Sequence, residues 1–273
     1  MDFYEKLITK SPMVMGIVNI TPDSFYDGGR HKNIEGYIQY IEQIINEGVD
    51  IIDLGACSSR PGAKPISLKE EETRLLPVLE KIKKEFPHIP VSIDTYRYQI
   101  AEKAILCGAQ LINDIYVEKD KQKMFSVIAK HNTPYVLMHM QGNPENMQKK
   151  IHYIDFQTEI MDFFKNNIKE LNQMGVNNIL LDPGFGFGKT LNQNYSLINM
   201  ISRLKQLNYP ILTGLSRKSM ISQGLNTTPK NALTGTIAAN TICLMNGVNI
   251  IRVHDVKEAK ETIKIFNLTQ INN

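Results

Sequence analysis

The sequence has few cysteines, little excess of either charge and no long apolar run, and each shortage excludes a class of protein. Its 273 residues contain three cysteines and no C-x-x-C pair, which is typical of reduced thiols in a cytosolic protein. Basic residues number 31 and acidic residues 28, so the net charge of +3 argues against a nucleic-acid binder with a large basic face. No apolar stretch approaches the roughly 20 residues that cross a bilayer, and the N-terminal segment MDFYEKLITKSP lacks the apolar core of a secretory signal. We therefore expect a cytoplasmic protein that binds neither nucleic acids nor membranes.

What the sequence does contain is a short unit that recurs along the chain. Gly48, Gly108, Gly175 and Gly247 each follow a helical pattern, which suits a left-handed helix end, and each precedes a run of Ile, Leu and Val. Eight buried strands are predicted, at 14–20, 49–55, 90–95, 109–115, 134–140, 176–183, 210–216 and 248–254. Eight strands alternating with about eight helices predict an α/β fold, a single-domain (β/α)8 TIM barrel over residues 1–273. An open doubly wound sheet is the alternative, since a strand count alone does not close a barrel.

Polar or ionisable residues end every predicted strand. They are Asn19, Asp53, Asp94, Asn113 with Asp114, His139, Asp182, the run Ser216, Arg217 and Lys218, and Arg252 with His254. Charged groups inside apolar runs are costly unless paired or used, and the carboxyl ends of barrel strands carry the active site. Asp53 and Asp114 are the two that we most readily assign to structural pairing. Together, the carboxylates and the basic residues predict a ligand with both a donor-rich edge and anionic groups.

Three segments after predicted strands are long enough to carry function. NITPDSFYDGG (19–29) and CSSRPGAKP (57–65) are candidate lids. DPGFGFGKT (182–190) resembles a P-loop, but five residues before Gly188 stands Pro183 instead of the required glycine. We interpret it as a glycine-rich loop that lets Phe187 approach a flat ligand. The six histidines show no zinc-site spacing.

Eight segments, in order over about residues 13–256, resemble the dihydropteroate synthase family. They are MGIVNITPDSFYDGG, SSRPGA, SIDTYR, INDI, LMHMQGNPENMQ, LDPGFGFGKT, GLSRKSMI and IRVHDV. The resemblance implies a (β/α)8 transferase of folate biosynthesis and a target of sulfonamides. Such an enzyme joins p-aminobenzoate to 6-hydroxymethyl-7,8-dihydropterin diphosphate and releases 7,8-dihydropteroate and pyrophosphate. It also implies a homodimer whose partners are small-molecule substrates.

The same resemblance implies roles for individual residues. The catalytic residues would be Asp94, Lys218, Arg252 and His254. The pterin would be bound by Asp94, Asn113, Met138, Asp182, Phe187 and Lys218. The diphosphate would contact Asn19, Arg252 and His254, with Mg²⁺ at the phosphates and Asn19 as its protein ligand. The p-aminobenzoate would lie near Thr21, Phe25, Ser59, Arg60, Pro61, Ser216 and Lys218. The implied reaction is a dissociative substitution at the pterin methylene carbon, in which Asp94 stabilises the pterin cation.

The second loop departs from the family pattern. It reads GACSSRPG where the family often has GGESTRPG, so Ala56, Cys57 and Ser59 replace Gly, Glu and Thr. These positions border the predicted p-aminobenzoate pocket, and we therefore expect them to affect sulfonamide affinity more than activity.

Three other functions remain open at this point. A methyltetrahydrofolate-binding, corrinoid-dependent methyltransferase-like barrel shares the pterin acceptors but has no need of SRPGA, SRK or the Arg-x-His pair. A non-catalytic pterin-binding barrel would bind the pterin diphosphate without turnover. A barrel enzyme acting on a sugar phosphate would prefer that ligand to a pterin.

Overall fold

Eight parallel strands, separated by helices, lie at the centre of the fold. The computed structural model describes residues 3–10, 12–20, 34–57, 65–144, 146–149 and 151–271. The strands are β1 Met13–Asn19, β2 Ile51–Gly55, β3 Val91–Asp94, β4 Leu111–Asp114, β5 Tyr135–Met138, β6 Ile179–Asp182, β7 Leu212–Thr213 and β8 Ile250–Val253. Seven fall within the segments predicted from the sequence, and β1 begins one residue before its predicted segment, at Met13.

Helices lie before, between and after the strands of the described residues. They are α1 Phe3–Thr9, α2 Ile34–Asn46, α3 Leu68–Glu85, α4 Tyr98–Leu106, α5 Lys121–His131, α6 Phe156–Gln173, α7 Leu191–Leu204, α8 Ser219–Gly224, α9 Leu233–Met245 and α10 Val256–Gln270. Short 3-10 helices cover Lys205–Leu207 and Pro229–Asn231. None of the helices in the described ranges is both long and apolar enough to cross a membrane.

The strand order shows that the sheet is a barrel. Seven parallel pairings connect the strands in the order β6-β5-β4-β3-β2-β1-β8-β7. The two remaining strands, β6 and β7, are joined by a parallel bridge between Leu181 and Ile211, and the amide of Leu181 donates to the carbonyl of Pro210 over 2.9 Å. The prediction of a (β/α)8 barrel is therefore confirmed, and the open doubly wound sheet is wrong.

The alternation of side chains along each strand divides the barrel into an apolar half and a polar half. Near the amino ends of the strands, inward-facing apolar side chains form one cluster, which Leu7 of α1 covers from below. Its strand members are Met13, Met15, Ile51, Leu111, Val136, Leu180, Leu212 and Ile250. Two residues further along β2, β4, β6 and β8, on the same face, stand Asp53, Asn113, Asp182 and Arg252. The carboxyl end of the barrel is therefore the polar end.

Asp114 faces away from this interior, and its structural role is confirmed. It follows the inward-facing Asn113, so its side chain points to the helices. The Tyr135 hydroxyl donates to Asp114 Oδ2 over 2.7 Å, and the amide of Tyr116 donates to Oδ1 over 2.8 Å. Burial raises the pKa of Asp114 to about 7, although both hydrogen bonds oppose the rise.

Replacing Tyr135 with phenylalanine is expected to destabilise the fold without affecting catalysis. Loss of one hydrogen bond to a buried carboxylate costs about 1–3 kcal/mol. The folded-state pKa of Asp114 already exceeds its unfolded value of about 3.9, so ionisation opposes folding as the pH rises towards 7. Without the hydroxyl this pKa rises further, and the loss of unfolding free energy should be larger at pH 8 than at pH 5. Urea unfolding at the two pH values measures it. A loss that is larger at pH 5 would contradict the assignment.

Candidate active site

Arg252 links two carboxylates inside the polar end of the barrel. Its Nε donates to Asp53 Oδ2 over 2.6 Å, and its Nη2 donates to Asp94 Oδ2 over 2.8 Å. Asn113 Nδ2 also donates to Asp53 Oδ2, over 3.1 Å. Strands β2, β3, β4 and β8 are thus connected through one hydrogen-bonded network. Asp53 is paired, as predicted, and its partners are two of the predicted site residues.

The network combines buried charges of both signs. Burial raises the pKa of Asp94 to about 7; Arg252 lowers it, and Asp53 raises it. Burial disfavours the charged guanidinium of Arg252, yet Asp53 and Asp94 outweigh this and raise its pKa. A guanidinium has five N–H donors, so the two bonds to carboxylates leave others available for an anionic ligand.

Asp182 and Lys218 form a second pair of opposite charges at the same end. Burial raises the pKa of Asp182, and Lys218 opposes the rise. Burial lowers the pKa of Lys218 to about 8, and Asp182 opposes that shift. The Nζ of Lys218 lies 4.4 Å from the centre of the Phe187 ring and donates to the carbonyl of Phe185. An ammonium, a carboxylate and an aromatic face therefore lie in one place.

A small apolar cluster accompanies these charges. Met138 and Phe187, both predicted to contact the ligand, belong to it together with other buried side chains. The other buried members are Ile115, Met140 and Met147. An apolar wall beside buried hydrogen-bonding groups is the kind of surface that binds a flat heteroaromatic ring with a polar edge.

The three side chains of the segment Ser216–Lys218 have different contacts. Ser216 Oγ lies 3.0 Å from His254 Nδ1 and accepts a bond from the His254 amide over 3.2 Å. Arg217 has a left-handed backbone, with φ +53°, and its guanidinium donates to both carboxylate oxygens of Asp255, over 2.8 and 2.7 Å. Ser216 thus contacts His254 and Lys218 contacts Phe187, both predicted site residues, whereas Arg217 is bonded to Asp255, which is not one.

Comparison with known proteins identifies the family. Residues 15–254 match the family described as pterin binding enzyme. Over 260 residues, 94% of this chain and 92% of the relative, the sequence is 42% identical to the dihydropteroate synthase of Escherichia coli K12. The chain belongs to the dihydropteroate synthase family. Members of this family are transferases of folate biosynthesis. The transferase class and the folate-biosynthesis function predicted from the sequence are therefore confirmed.

Solved structures of the dihydropteroate synthase family agree in fold over nearly the whole chain. The Yersinia pestis enzyme, solved in complex with a sulfonamide drug, is 42% identical, with a TM-score of 0.90 over 96% of this chain and 95% of that one. The Thermus thermophilus enzyme, solved in complex with 4-aminobenzoate, is 35% identical, with a TM-score of 0.84 over 94% of each chain.

Five residues that the dihydropteroate synthase resemblance assigns to p-aminobenzoate lie outside the described residues. They are Thr21, Phe25, Ser59, Arg60 and Pro61. The described structure does reach both ends of the second loop, at Cys57 and at position 65. Burial raises the pKa of Cys57 to about 12, with a further contribution from Glu71, so its thiol is protonated at neutral pH and is not a ready nucleophile.

Mg²⁺ fits this site only together with a phosphate-bearing substrate. In the described ranges, no three His, Cys, Asp or Glu side chains are placed to hold a metal ion. Asn19 ends β1 on the inward face and is half-buried, so it offers one amide oxygen. Mg²⁺ commonly keeps several waters and combines few protein oxygens with substrate phosphates.

The sequence patterns did not identify two buried charged groups beside the site. Glu71 of α3 accepts from the Thr95 hydroxyl over 2.6 Å and is paired with Arg97, whose guanidinium also reaches the Ile66 carbonyl and the Cys57 sulfur. Lys189 is buried at the end of the 183–188 loop. The sequence signal for Glu71 was a glutamate at a position of α3 where the helical pattern calls for an apolar residue. The signal for Lys189 was a lysine at the end of a glycine-rich loop.

Proposed function

We propose that this chain condenses 6-hydroxymethyl-7,8-dihydropterin diphosphate with p-aminobenzoate to give 7,8-dihydropteroate and pyrophosphate. The observation that carries the proposal is that the polar end of the barrel holds Asn113, Asp182 and Lys218 together with an apolar cluster, in which Met138 is paired with Asp182 across the strands and Phe187 lies under the Lys218 ammonium. Membership of the dihydropteroate synthase family supports the same reaction.

Buried oxygens without partners support binding of the pterin. Among the described residues, Asn113 Oδ1 and Asp53 Oδ1 are buried and accept no hydrogen bond. Such atoms are costly unless a ligand or water supplies a donor. The pterin edge, with its ring N–H and exocyclic amine, is a donor edge. Asp182 uses Oδ1 to accept from the Gly184 amide over 2.7 Å, and we assign the bonds from that edge to its second oxygen.

The charged residues match the change in charge during the reaction. The bond between the methylene carbon and the diphosphate oxygen breaks, and its electron pair leaves with pyrophosphate. Further N–H groups of Arg252, together with His254, stabilise the leaving anion. Asp94 in its ionised form stabilises the positive charge that is left on the pterin. Bound at Asn19 and the phosphates, Mg²⁺ would supply Lewis-acid stabilisation of the leaving group.

The amine of p-aminobenzoate then forms the new bond to the methylene carbon, and its nitrogen gives up one proton. An aniline is uncharged at pH 7, so no strong base is required. We place its carboxylate end near Ser216 and Lys218, with Thr21, Phe25, Ser59, Arg60 and Pro61 completing the pocket. The Thermus thermophilus enzyme was solved with 4-aminobenzoate and the Yersinia pestis enzyme with a sulfonamide drug, which supports binding of these two kinds of ligand by this chain.

The proposal also covers domain organisation, location, oligomeric state and partners. We propose one catalytic domain over residues 1–273, a cytoplasmic location and a homodimer. The three cysteines, all described and all free, support a reducing compartment. Small molecules are the proposed partners, with no role for nucleic acid or membranes.

Incubation of the purified chain with both substrates and Mg²⁺ tests the reaction. We expect pyrophosphate and dihydropteroate in equal amounts, and loss of both in Lys218→Ala. Pyrophosphate without dihydropteroate would contradict the proposal. Tight pterin diphosphate binding without turnover would indicate a non-catalytic barrel, methyl transfer from a methylfolate to a corrinoid would indicate the methyltransferase, and preferred binding of a sugar phosphate would indicate a different enzyme.

A further inference from the structure

Lys189 is a buried lysine that the proposed reaction does not use. Its side chain ends the 183–188 loop between β6 and α7, and only 3% of the residue is exposed. The Nζ atom has four acceptors within 3.2 Å: His139 Nδ1 at 3.0 Å, and the carbonyls of His139, Gly184 and Phe187 at 3.2, 2.9 and 3.0 Å. Burial lowers the pKa of Lys189 to about 7, and Asp182 opposes the shift. In its ammonium form the group has three N–H donors and accepts nothing, so this shell uses all its capacity inside the protein.

The histidine in this shell is suited to accept. Burial and the neighbouring Lys189 hold the pKa of His139 well below its ordinary value, so the ring is neutral. A neutral imidazole offers a lone pair on one nitrogen, and the 3.0 Å contact assigns it to Nδ1. The ring is held edge-on by Phe163, with 4.9 Å between ring centres. Lys189 therefore binds to a fixed position on the residue that follows β5.

The two loop carbonyls that accept from Lys189, those of Gly184 and Phe187, stand on either side of the loop residues that contact Lys218. Between Gly184 and Phe187 lies Phe185, whose carbonyl accepts from Lys218, and the Phe187 ring lies under the same ammonium. The loop also packs closely on β5. Gly184 has φ +70°, and a Cβ there would stand 1.9 Å from the His139 carbonyl oxygen.

We propose that Lys189 is a positioning residue, which fixes the 183–188 loop on the end of β5 and thereby places Asp182, Phe187 and Lys218 to hold the pterin. The proposal rests on the proposed function for the identity of the ligand. Lys189 itself contacts no substrate. Its effect is transmitted through the Gly184 and Phe187 carbonyls.

Lys189→Met keeps the length and most of the apolar stem but removes every N–H donor. We expect the dissociation constant for 6-hydroxymethylpterin, measured by calorimetry, to rise about 10- to 100-fold, because displacement of binding groups by about 1 Å costs up to about 10²-fold. The KM for pterin diphosphate should rise in parallel, and by more than the KM for p-aminobenzoate, because of the proposed contacts of p-aminobenzoate it is Lys218 that the loop holds. His139→Asn, which can offer an acceptor oxygen near the Nδ1 position, should give an intermediate effect.

Hydrogen exchange provides a measurement that is independent of the reaction. The amides of Gly184 and Gly186 donate to Asp182 Oδ1 and Asn194 Oδ1, over 2.7 and 2.6 Å. In Lys189→Met these amides should exchange faster. Lys260→Met is the matched control, because that lysine pairs with Asp50 over 2.8 Å just before β2, at the opposite end of the barrel. It should leave the exchange at 184–188 and the pterin affinity unchanged.

Two results would overturn the inference. One is an unchanged pterin affinity in Lys189→Met. The other is an equal rise in the KM of both substrates, accompanied by the same loss in the Lys260→Met control, which would indicate general destabilisation. If the wild-type chain forms no dihydropteroate, the proposed function fails, while pterin affinity and loop exchange still decide the role of Lys189.

Discussion

Arg252→Met is expected to lower the free energy of unfolding by about 3–5 kcal/mol at pH 8 and to abolish condensation, because removing one partner of a buried ion pair leaves the other charge uncompensated. Two buried carboxylates, Asp53 and Asp94, would lose their shared guanidinium. Denaturant unfolding and the product assay measure the two effects.

The pH dependence of this loss has a definite sign. In the wild type the pKa of Asp94 is about 7, and Arg252 is the group that lowers it most. Without Arg252 this pKa rises further above the unfolded value of about 3.9. A carboxyl whose folded pKa is raised favours the fold while protonated, and this contribution is lost as the pH rises through the window between the two values. The variant should therefore be closest to wild type at pH 5 and furthest from it at pH 8.

A second substitution separates stability from catalysis. Asp94→Asn in the Arg252→Met background removes one uncompensated charge, so it should restore part of the lost stability at pH 8 without restoring activity. A stability gap that is the same at pH 5 and pH 8, or a double variant no more stable than Arg252→Met, would contradict the buried-charge explanation.

Asp182→Asn is expected to lower kcat/KM for pterin diphosphate by about 10³-fold. Hydrogen bonds to a charged group contribute about 1.5–3 kcal/mol each, and the pterin edge is proposed to make two of them. The amide keeps an oxygen for the Gly184 amide but turns its NH₂ group towards the donor edge of the ligand. Weaker binding and repulsion between donors then act together.

Asp114→Asn is the matched control for this variant. Asp114 is an equally buried strand-end aspartate, but its partners are Tyr135 and Tyr116 on the helix side of the sheet. The kcat/KM of Asp114→Asn should stay within about 3-fold of the wild-type value, because Asp114 makes no contact with the transition state in the proposed reaction. If the two variants lost activity equally, burial alone would explain the effect of Asp182→Asn.

The barrel and most of its strand-end residues could be predicted from the sequence because they depend on local patterns. Strands buried on both faces are continuous apolar runs, so a polar residue at the end of each run is conspicuous. This reasoning identified Asp94, Asn113, Asp182 and Arg252, and the described structure brings all four to the polar end of the barrel.

Other features depended on contacts that no local pattern encodes. Arg252 and Asp53 are 199 residues apart, and nothing in either strand specifies their pairing. The side chains of Arg217 and Lys218 contact different parts of the structure because the backbone of Arg217 is left-handed, and the sequence does not show that conformation. Lys189 was missed because its acceptors are mainly carbonyls of a loop, and their positions depend on glycine conformations that the sequence permits but does not fix.

A crystal structure with 6-hydroxymethylpterin bound would test the central claim most directly. We expect the pterin at the polar end of the barrel, with its amine and ring N–H about 2.7–3.2 Å from Asp182 and its ring beside Phe187 and Met138. The Asn113 oxygen should gain a partner. A pterin bound elsewhere, or bound at the barrel mouth without contact to Asp182, would contradict this assignment of the pterin site.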